Sequence, residues 1–403
     1  MSPRARLAAA CVLLAALVAL GVVIWLRLGA PAREPVGGGV GTSLAAGGGR
    51  EAPALQPGAG PRRGPGAREA PGAATPAAGV PEAAEQALLA LLAGGSEGEA
   101  VQAAAAALRA RLRGDPAALA AALARLLDPA LSSVQRQALA LVLGTLERPG
   151  VDAALLAALE RYKADGPFAR CALLALGATR EPDDDDEVFG LGDRPWGQQG
   201  PAGLGITVER RIEDGELLAQ LAPWLRTAGM EVREAAAVAL RHSLDDQATR
   251  WAFLSALLEE PDDEVALPLG EGLVVWLRTA PAGDEGLVAA VLSRTVVPGF
   301  DGLRLRLEDD LEAVPFSPVV QDILAGLCAT SQQGEVRRFA HTVLVRHAAY
   351  RGDAAEQAAV RARLLELVRS ESDAALRDLG ASLLRRLPAT AEAVAALRAA
   401  LPG

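Results

Sequence analysis

One helical pattern recurs seven times along this chain. In each copy, an apolar anchor is followed four residues later by a small or apolar residue, and a bulky aliphatic residue comes three or four residues after that. Because positions i, i+4 and i+7 or i+8 lie on one face of a helix, each copy predicts one amphipathic helix. The anchors are Val101, Val134, Phe168, Val232, Val265, Val336 and Leu376.

The anchors are 33, 34, 64, 33, 71 and 40 residues apart, which is close to one or two units of a period in the thirties. Such a period, with a helix in every unit, is typical of a stacked helical solenoid. Hydrophobic residues make up 51% of the chain but aromatic residues only 3%. The apolar fraction is therefore mostly Ala, Leu and Val, which favours closely packed helices. We expect an all-α fold in which residues 83–403 form an α-solenoid of stacked antiparallel helix pairs.

Two stretches interrupt the period. Residues 180–215 are acidic and then rich in glycine, and they add about one unit of length between the third and fourth anchors. Residues 295–314 contain a Pro-Gly pair and an alternation of leucine and arginine. The anchor spacing of 71 residues across this region indicates one degraded unit that lacks a recognisable anchor. We predict insertions at both places, with short extended strands such as 206–212 against the edge of the solenoid.

The N-terminus predicts a membrane anchor. Residues 7–26 carry no charge, and twenty helical residues span roughly 30 Å of hydrocarbon. We therefore predict a short tail over residues 1–6 and a transmembrane signal anchor over residues 7–28. The small residues 29–32 could also serve as a cleavage site, so a cleaved signal peptide is the alternative.

Residues 29–82 follow as a predicted disordered linker. Residues 29–81 hold 14 Gly, 13 Ala and 9 Pro without a hydrophobic period, so they cannot bury enough apolar surface to fold. The short basic tail ahead of the apolar helix favours a cytoplasmic N-terminus. We expect a single-pass protein of a bacterial inner membrane, with the solenoid on the extracytoplasmic, periplasmic side.

A shared succession of residues begins several of the repeated helices. Residues 231–240 and 335–340 show an acid, a valine and an arginine, followed by small or apolar residues. Residues 133–138 and 168–172 place the arginine one position later, and residues 265–268 lack it. This succession resembles the second helix of the HEAT-repeat family, in the short-repeat form common in bacteria. The resemblance covers roughly residues 83–400.

The HEAT-like resemblance implies a structural role for these arginines. In that family the turn acid and the helix arginine form a ladder that holds neighbouring repeats in register. The alternative is that the arginines line a ligand-binding face. The residues concerned are Arg136, Arg170, Arg233, Arg337 and Arg377.

The charge distribution bears on the class of partner. The chain has a net charge of −10, and residues 83–403 carry 46 acidic against 32 basic side chains. An acidic body repels phosphate backbones, which argues against nucleic acid. We expect a protein or peptide partner, besides the membrane contacted by residues 7–28.

No pattern in the sequence predicts catalysis, a cofactor or a metal. The only lysine, Lys163, lies outside any phosphate-binding loop, and the three histidines are not spaced as ligands of one ion. Residues 94–98 match the Gly-x-Ser-x-Gly sequence pattern of a nucleophile elbow, but an Ala/Leu helix precedes them, whereas that motif requires a strand. We therefore predict a protein that is not an enzyme; an enzyme with an unrecognised site is the remote alternative.

The first insertion holds the candidate contact residues. Its acidic run, which continues to Glu187, is interpreted as a solvated loop. The alternative is that the run binds calcium or a basic partner. The tryptophan that follows suits a contact hot spot or packs back on the solenoid. These candidates are Asp183, Asp184, Asp185, Asp186 and Trp196.

Two functional hypotheses follow. The first is a membrane-tethered, non-catalytic scaffold or adaptor that binds a protein or peptide along the solenoid. The second is a regulatory or accessory subunit of an envelope complex that contacts its partner through residues 180–215.

Overall fold

The computed structural model describes the part of the chain that follows the predicted linker. The described residues are 83–180, 189, 197–227, 229–279, 284–314, 317–331, 333–351, 353–391, 394, 395 and 398. They all belong to one compact unit. The predicted tail, transmembrane helix and linker over residues 1–82 lie outside the described residues. Within the described ranges, no helix has the length and apolar character needed to cross a membrane.

The fold is all-α, as predicted. The described residues form sixteen α-helices and one two-stranded sheet. The helices are α1 (Ala83–Ala93), α2 (Glu99–Gly114), α3 (Pro116–Leu126), α4 (Ser133–Gly144), α5 (Val151–Arg161), α6 (Gly166–Leu176), α7 (Gly215–Leu221), α8 (Met230–Leu240), α9 (Gln247–Glu259), α10 (Asp263–Leu277), α11 (Glu285–Thr295), α12 (Asp301–Asp310), α13 (Pro318–Thr330), α14 (Gly334–Arg351), α15 (Ala354–Ser370) and α16 (Ala374–Leu384). The strands are β1 (Gly197–Gln199) and β2 (Gly205–Thr207), and short 3-10 turns cover Pro201–Gly203, Ala222–Arg226 and Leu311–Ala313.

The helices pack in two rows. Every even-numbered helix from α2 to α16 contacts the next even-numbered helix, and we call this series the even row. Odd-numbered helices form a second row. Helix α3 contacts α5, and each odd-numbered helix from α7 to α13 contacts the next odd-numbered helix. Helices that follow one another in the chain also contact across the rows, as α1 does with α2 and α13 with α14. Each helix thus packs mainly against helices close to it in sequence.

Several helices begin at side chains that cap their free backbone N–H groups. Asp115 precedes Pro116 and accepts hydrogen bonds from the N–H groups of Ala117 and Ala118. These two hydrogen bonds also lower the pKa of Asp115. Ser132 forms a capping box with Gln135 at the start of α4. Local chemistry therefore fixes where these helices start.

The repeated apolar face lies in the core, with one exception. Six of the seven anchors are buried, as are all seven of their +4 partners. Val134 is 41% exposed, so its prediction as a core anchor is wrong. The six buried anchors are each the third residue of their helix, whereas Val134 is the second residue of α4. One residue turns a helix by about 100°, which rotates Val134 away from the core.

Helix α12 and a 3-10 turn occupy most of residues 295–314, so the prediction of an extended strand there is wrong. Helix α12 lies in the even row between α10 and α14. Leu303 and Leu307 are buried at i and i+4, whereas Leu305 between them is 64% exposed. The alternation of leucine and arginine satisfies a strand period and a helix period at once, and packing against α10 and α14 selects the helix.

Candidate partner-binding cleft

The predicted contact residues of the first insertion, Asp183, Asp184, Asp185, Asp186 and Trp196, lie outside the described residues. The described remainder of the insertion forms a hairpin in which β1 pairs antiparallel with β2, Gly197 opposite Thr207. The predicted strand at 206–212 is thus shorter and begins one residue earlier. Leu204, Ile206 and Val208 are fully or almost fully buried.

Backbone hydrogen bonds fix this hairpin against the even row. The Gly98 N–H donates to the Ala202 carbonyl at 3.0 Å, next to the start of α2. The Thr179 N–H donates to the Thr207 carbonyl at 2.9 Å, just after the end of α6. The 3-10 turn Pro201–Gly203 also contacts α2 and α4. The hairpin therefore covers part of the even row that solvent would otherwise reach.

A partly buried ion cluster connects the insertion to α5. Arg180 donates to Asp152 at 2.6 Å, and Arg210 donates to both oxygens of the same carboxylate at 2.8 Å. Burial opposes the charge of Asp152, but the hydrogen bond from Arg210 and the charges of both arginines lower its pKa overall. Sequence analysis missed this cluster because Asp152 and Arg210 are 58 residues apart.

Four of the predicted ladder arginines are the fourth residue of an even-row helix and bond to the turn before it. Arg136 donates to the Leu131 carbonyl at 2.9 Å, and its guanidinium lies 3.7 Å from the ring centroid of Tyr162. Arg337 donates to the Ser331 carbonyl at 3.0 Å. Arg377 has a longer bond, 3.4 Å, to the carbonyl of Glu371.

Arg233 shows how this position also reaches the next turn. It donates to the Thr227 carbonyl before α8 and to Glu260 and Asp262 before α10, at 2.8 and 2.6 Å for the two carboxylates. Its hydrogen bond with Glu260 raises the pKa of Arg233. Arg337 reaches the carboxylate of Glu371 in the same way, at 3.0 Å. The turn acid and helix arginine thus connect successive helices of the even row.

Arg304 has the same position but was not among the predicted arginines. It is the fourth residue of α12, and it donates to the Thr295 carbonyl at 2.7 Å and to Asp301. The signal was present in the sequence. Leu303 and Arg304 stand in the same order as Val232 and Arg233, but the alternating pattern around them predicted a strand instead.

Arg170 makes a different contact. It is the fifth residue of α6, and it donates to the Gln199 carbonyl on β1 at 2.9 Å. The one-residue shift directs it toward the insertion and away from the preceding turn. Arg170 thereby lies on the wall of a cavity.

This cavity, which we call the cleft, has a volume of about 460 Å³. It lies between the hairpin and the N-terminal halves of four even-row helices, α4, α6, α8 and α10. Met230 at its edge is 37% exposed. The lining residues are Gln137, Pro167, Arg170, Cys171, Gln199, Gly200, Pro201, Met230, Glu231, Glu234 and Glu264.

Carboxylates dominate the electrostatics of the cleft. Within the described part of the chain, Glu231, Glu234 and Glu264 make no hydrogen bond or ion pair through their side chains. Burial raises the pKa of Glu234, and the neighbouring charges of Glu264 and Glu231 raise it further, although Arg170 lowers it. Glu231 and Glu264 are each the second residue of a helix, where the helix dipole favours an acid. Glu234 is the fifth residue of α8, which is too far from the start of the helix for the dipole to favour an acid. Helix stability therefore does not explain why an acid occupies this position.

A thiol also lines the cleft. Burial raises the pKa of the Cys171 thiol to about 11, so it is protonated at neutral pH and a poor nucleophile. The thiol lies 3.6 Å from the Gln137 side-chain oxygen. Over the described residues, no three His, Cys, Asp or Glu side chains are grouped as a metal site would need. The arrangement suits recognition of a cationic or hydrogen-bonding group.

Comparison with known proteins adds no relative. No family model matches the chain, and no curated protein matches it. The interpretation of the cleft therefore rests on its own geometry.

Proposed function

We propose that residues 83–403 form a HEAT-like α-solenoid that serves as a non-catalytic scaffold or adaptor for a partner protein. Three features support this. The two rows are built from contacts between neighbouring helices. Arg136, Arg233, Arg304 and Arg337 bond from the same helix position to adjacent turns. A stack of this kind exposes a long surface in proportion to its mass, which suits binding.

The cleft is the observation that carries the proposal. It is concave, it lies where the insertion meets the even row, and it exposes three carboxylates without partners in the described chain. Its mouth includes the exposed apolar side chain of Met230. Concave sites with a few convergent polar groups are the usual positions of ligands. In the proposed arrangement, residues 7–28 anchor the scaffold and residues 29–82 tether it on the extracytoplasmic side.

Site-specific photocrosslinking tests the proposal. A benzophenone amino acid is placed at Met230, and in a matched control at Val319 on α13, which is 45% exposed. We expect one defined adduct from Met230 in cells and none from Val319. Equal adducts from both positions, or none from Met230, would contradict partner binding in the cleft.

The accessory-subunit hypothesis also has a supporting observation, because Gln199, Gly200 and Pro201 of the insertion line the cleft. The two hypotheses differ in which surface is essential. If the insertion is the contact element, replacing Asp183–Asp186 with serine abolishes the adduct from Met230. If the helix face is the contact element, that replacement preserves the adduct and Glu234→Arg abolishes it.

The membrane topology has its own test. A phosphatase that is active only outside the cytoplasm is fused after Gly403, and a reporter active only inside is fused in a parallel strain. We expect activity from the first fusion alone. Activity from the cytoplasmic reporter alone would contradict the proposed side of the membrane.

A further inference from the structure

The charge of the cleft limits what it can bind. Three carboxylates face one arginine, and that arginine already donates to the Gln199 carbonyl. Carboxylates held together in a partly buried site repel one another, and the repulsion is relieved when a cation enters. Residues 83–403 as a whole are acidic, which disfavours a nucleic-acid or phosphate ligand. The complementary ligand is a cation.

Two leucines extend along the even row from the cleft. Glu234 is the fifth residue of α8, and the fifth residues of α10 and α12 are Leu267 and Leu305. Leu267 is half-buried and Leu305 is 64% exposed. Neighbouring packed helices lie about 10 Å apart, so Leu305 is roughly 20 Å from Glu234 along the row. An extended chain covers that distance in about six residues.

We propose, on the basis of the proposed function, that the cleft binds an extended basic segment of a partner protein. An arginine or lysine of the segment lies among Glu231, Glu234 and Glu264. An aliphatic residue about six positions away covers Leu305, and the residues between them pass over Leu267. On the opposite side of the cleft, Arg170 and the hairpin line the wall, and Arg170 donates to the Gln199 carbonyl.

Selection from a random peptide library tests this inference. The full chain is purified in detergent micelles, and displayed twelve-residue peptides are selected against it. Recovered peptides are then labelled and measured by fluorescence anisotropy. We expect most of them to carry Arg or Lys with an aliphatic residue five to seven positions away, and to bind more weakly as NaCl is raised.

Charge-removing variants locate the binding. For Glu234→Gln combined with Glu264→Gln, we expect affinity for the basic peptides to fall about tenfold. Glu366→Gln removes the same kind of charge from an exposed position on α15, and we expect affinity within twofold of the original. Recovery of acidic or uncharged peptides, or full affinity in the double variant, would overturn the inference.

Met230→Trp separates this inference from the proposed function, because it narrows the cleft without changing its charge. If peptides lose binding in Met230→Trp but keep it in the glutamate variant, the cleft binds a partner and the basic specificity is wrong. If no peptide binds, or if neither variant affects binding, the basic specificity is wrong and so is the proposal that the cleft binds a partner. Unchanged far-ultraviolet circular dichroism establishes that each variant is folded.

Discussion

At the scale of single residues, the fourth position of several even-row helices holds an arginine that links the helix to neighbouring turns. An arginine there reaches the carbonyls of the turn behind it and, in three helices, an acid of the turn ahead, as Arg233 does with Glu260. The Glu260 side chain is only 3% exposed and that of Arg233 is 12% exposed. A buried carboxylate that loses its partner is costly because water cannot replace the lost interaction.

Replacing this arginine should therefore destabilise the fold. We expect Arg233→Met to lower the free energy of unfolding by about 3–5 kcal/mol, since it removes both guanidinium hydrogen bonds from the buried carboxylate of Glu260. The measurement is the urea midpoint followed by circular dichroism at 222 nm.

Arg226→Met is the matched control for that change. Arg226 pairs with Glu259, and both side chains are more than half exposed. An exposed pair contributes less than about 1 kcal/mol, so a small change is expected. Equal losses in the two variants would show that the even-row arginine has no special structural role.

His242 should give the protein a specific acid sensitivity. Burial and the neighbouring charge of Arg241 lower the pKa of His242 from 6.5 to about 4. Arg241 donates to its Nε2 atom at 3.1 Å, which requires that nitrogen to be unprotonated. The unfolded chain takes up a proton at a higher pH than the folded chain does. Stability is therefore complete above about pH 6.5 and falls as pH decreases toward 4.

A glutamine at this position keeps an acceptor for Arg241 but does not titrate. We expect His242→Gln to lose less stability than the original protein when the pH is lowered from 7.5 to 5.0. Urea midpoints at the two pH values give the comparison. An identical loss in both proteins would exclude His242 as the source of the acid sensitivity.

At the scale of elements, small residues set how closely the even-row helices approach. A Cβ atom on Gly177, at the end of α6, would lie 2.6 Å from the Cα atom of Ala239 on α8. A Cβ atom on Gly144, at the end of α4, would lie 2.6 Å from the Cβ atom of Ala175. Both distances are shorter than real contacts, so the helices can pack this closely only with glycine present.

Adding one methyl group at the contact should be destabilising. We expect Gly177→Ala to lower the unfolding free energy by about 1–3 kcal/mol through overpacking. Gly166→Ala on the same helix is the control, because a Cβ atom there meets nothing within 4 Å. Thermal denaturation of both variants measures the difference. A control as unstable as Gly177→Ala would point to backbone effects in place of the helix contact.

Helix α12 shows where periodicity stops deciding the secondary structure of an element. Leucines at 303, 305 and 307 fit a strand with one face apolar and also place two leucines on one helix face. Only burial of Leu303 and Leu307 against neighbouring helices, with Leu305 left exposed, distinguishes the two. That information depends on α10 and α14, which contribute residues tens of positions away.

At the scale of the whole molecule, contacts between neighbours should make the effect of a substitution local. In the proposed solenoid, stability is nearly a sum over units and their interfaces. The helices nearest Gly177 in the even row are α4, α6, α8 and α10, whereas α14 and α16 lie farther along it.

Hydrogen exchange followed by mass spectrometry tests this locality. For Gly177→Ala, we expect faster amide exchange in α4 to α10 and unchanged exchange in α13 to α16. Uniformly faster exchange in all helices would indicate one cooperative core and would contradict the proposed solenoid.

The sequence by itself determined the helical class and most of the apolar face, because helix formation and burial leave a local period in the chain. It also located Arg233 and Arg337 beside their anchors. Only the tertiary structure decided that Arg170 turns to the insertion and that Glu234 lies with Glu264 in one cleft. The physical reason is that the exposed side of a packed helix depends on how its neighbours are rotated and on which loop crosses them. Those contacts join residues far apart in the chain and leave no period within it.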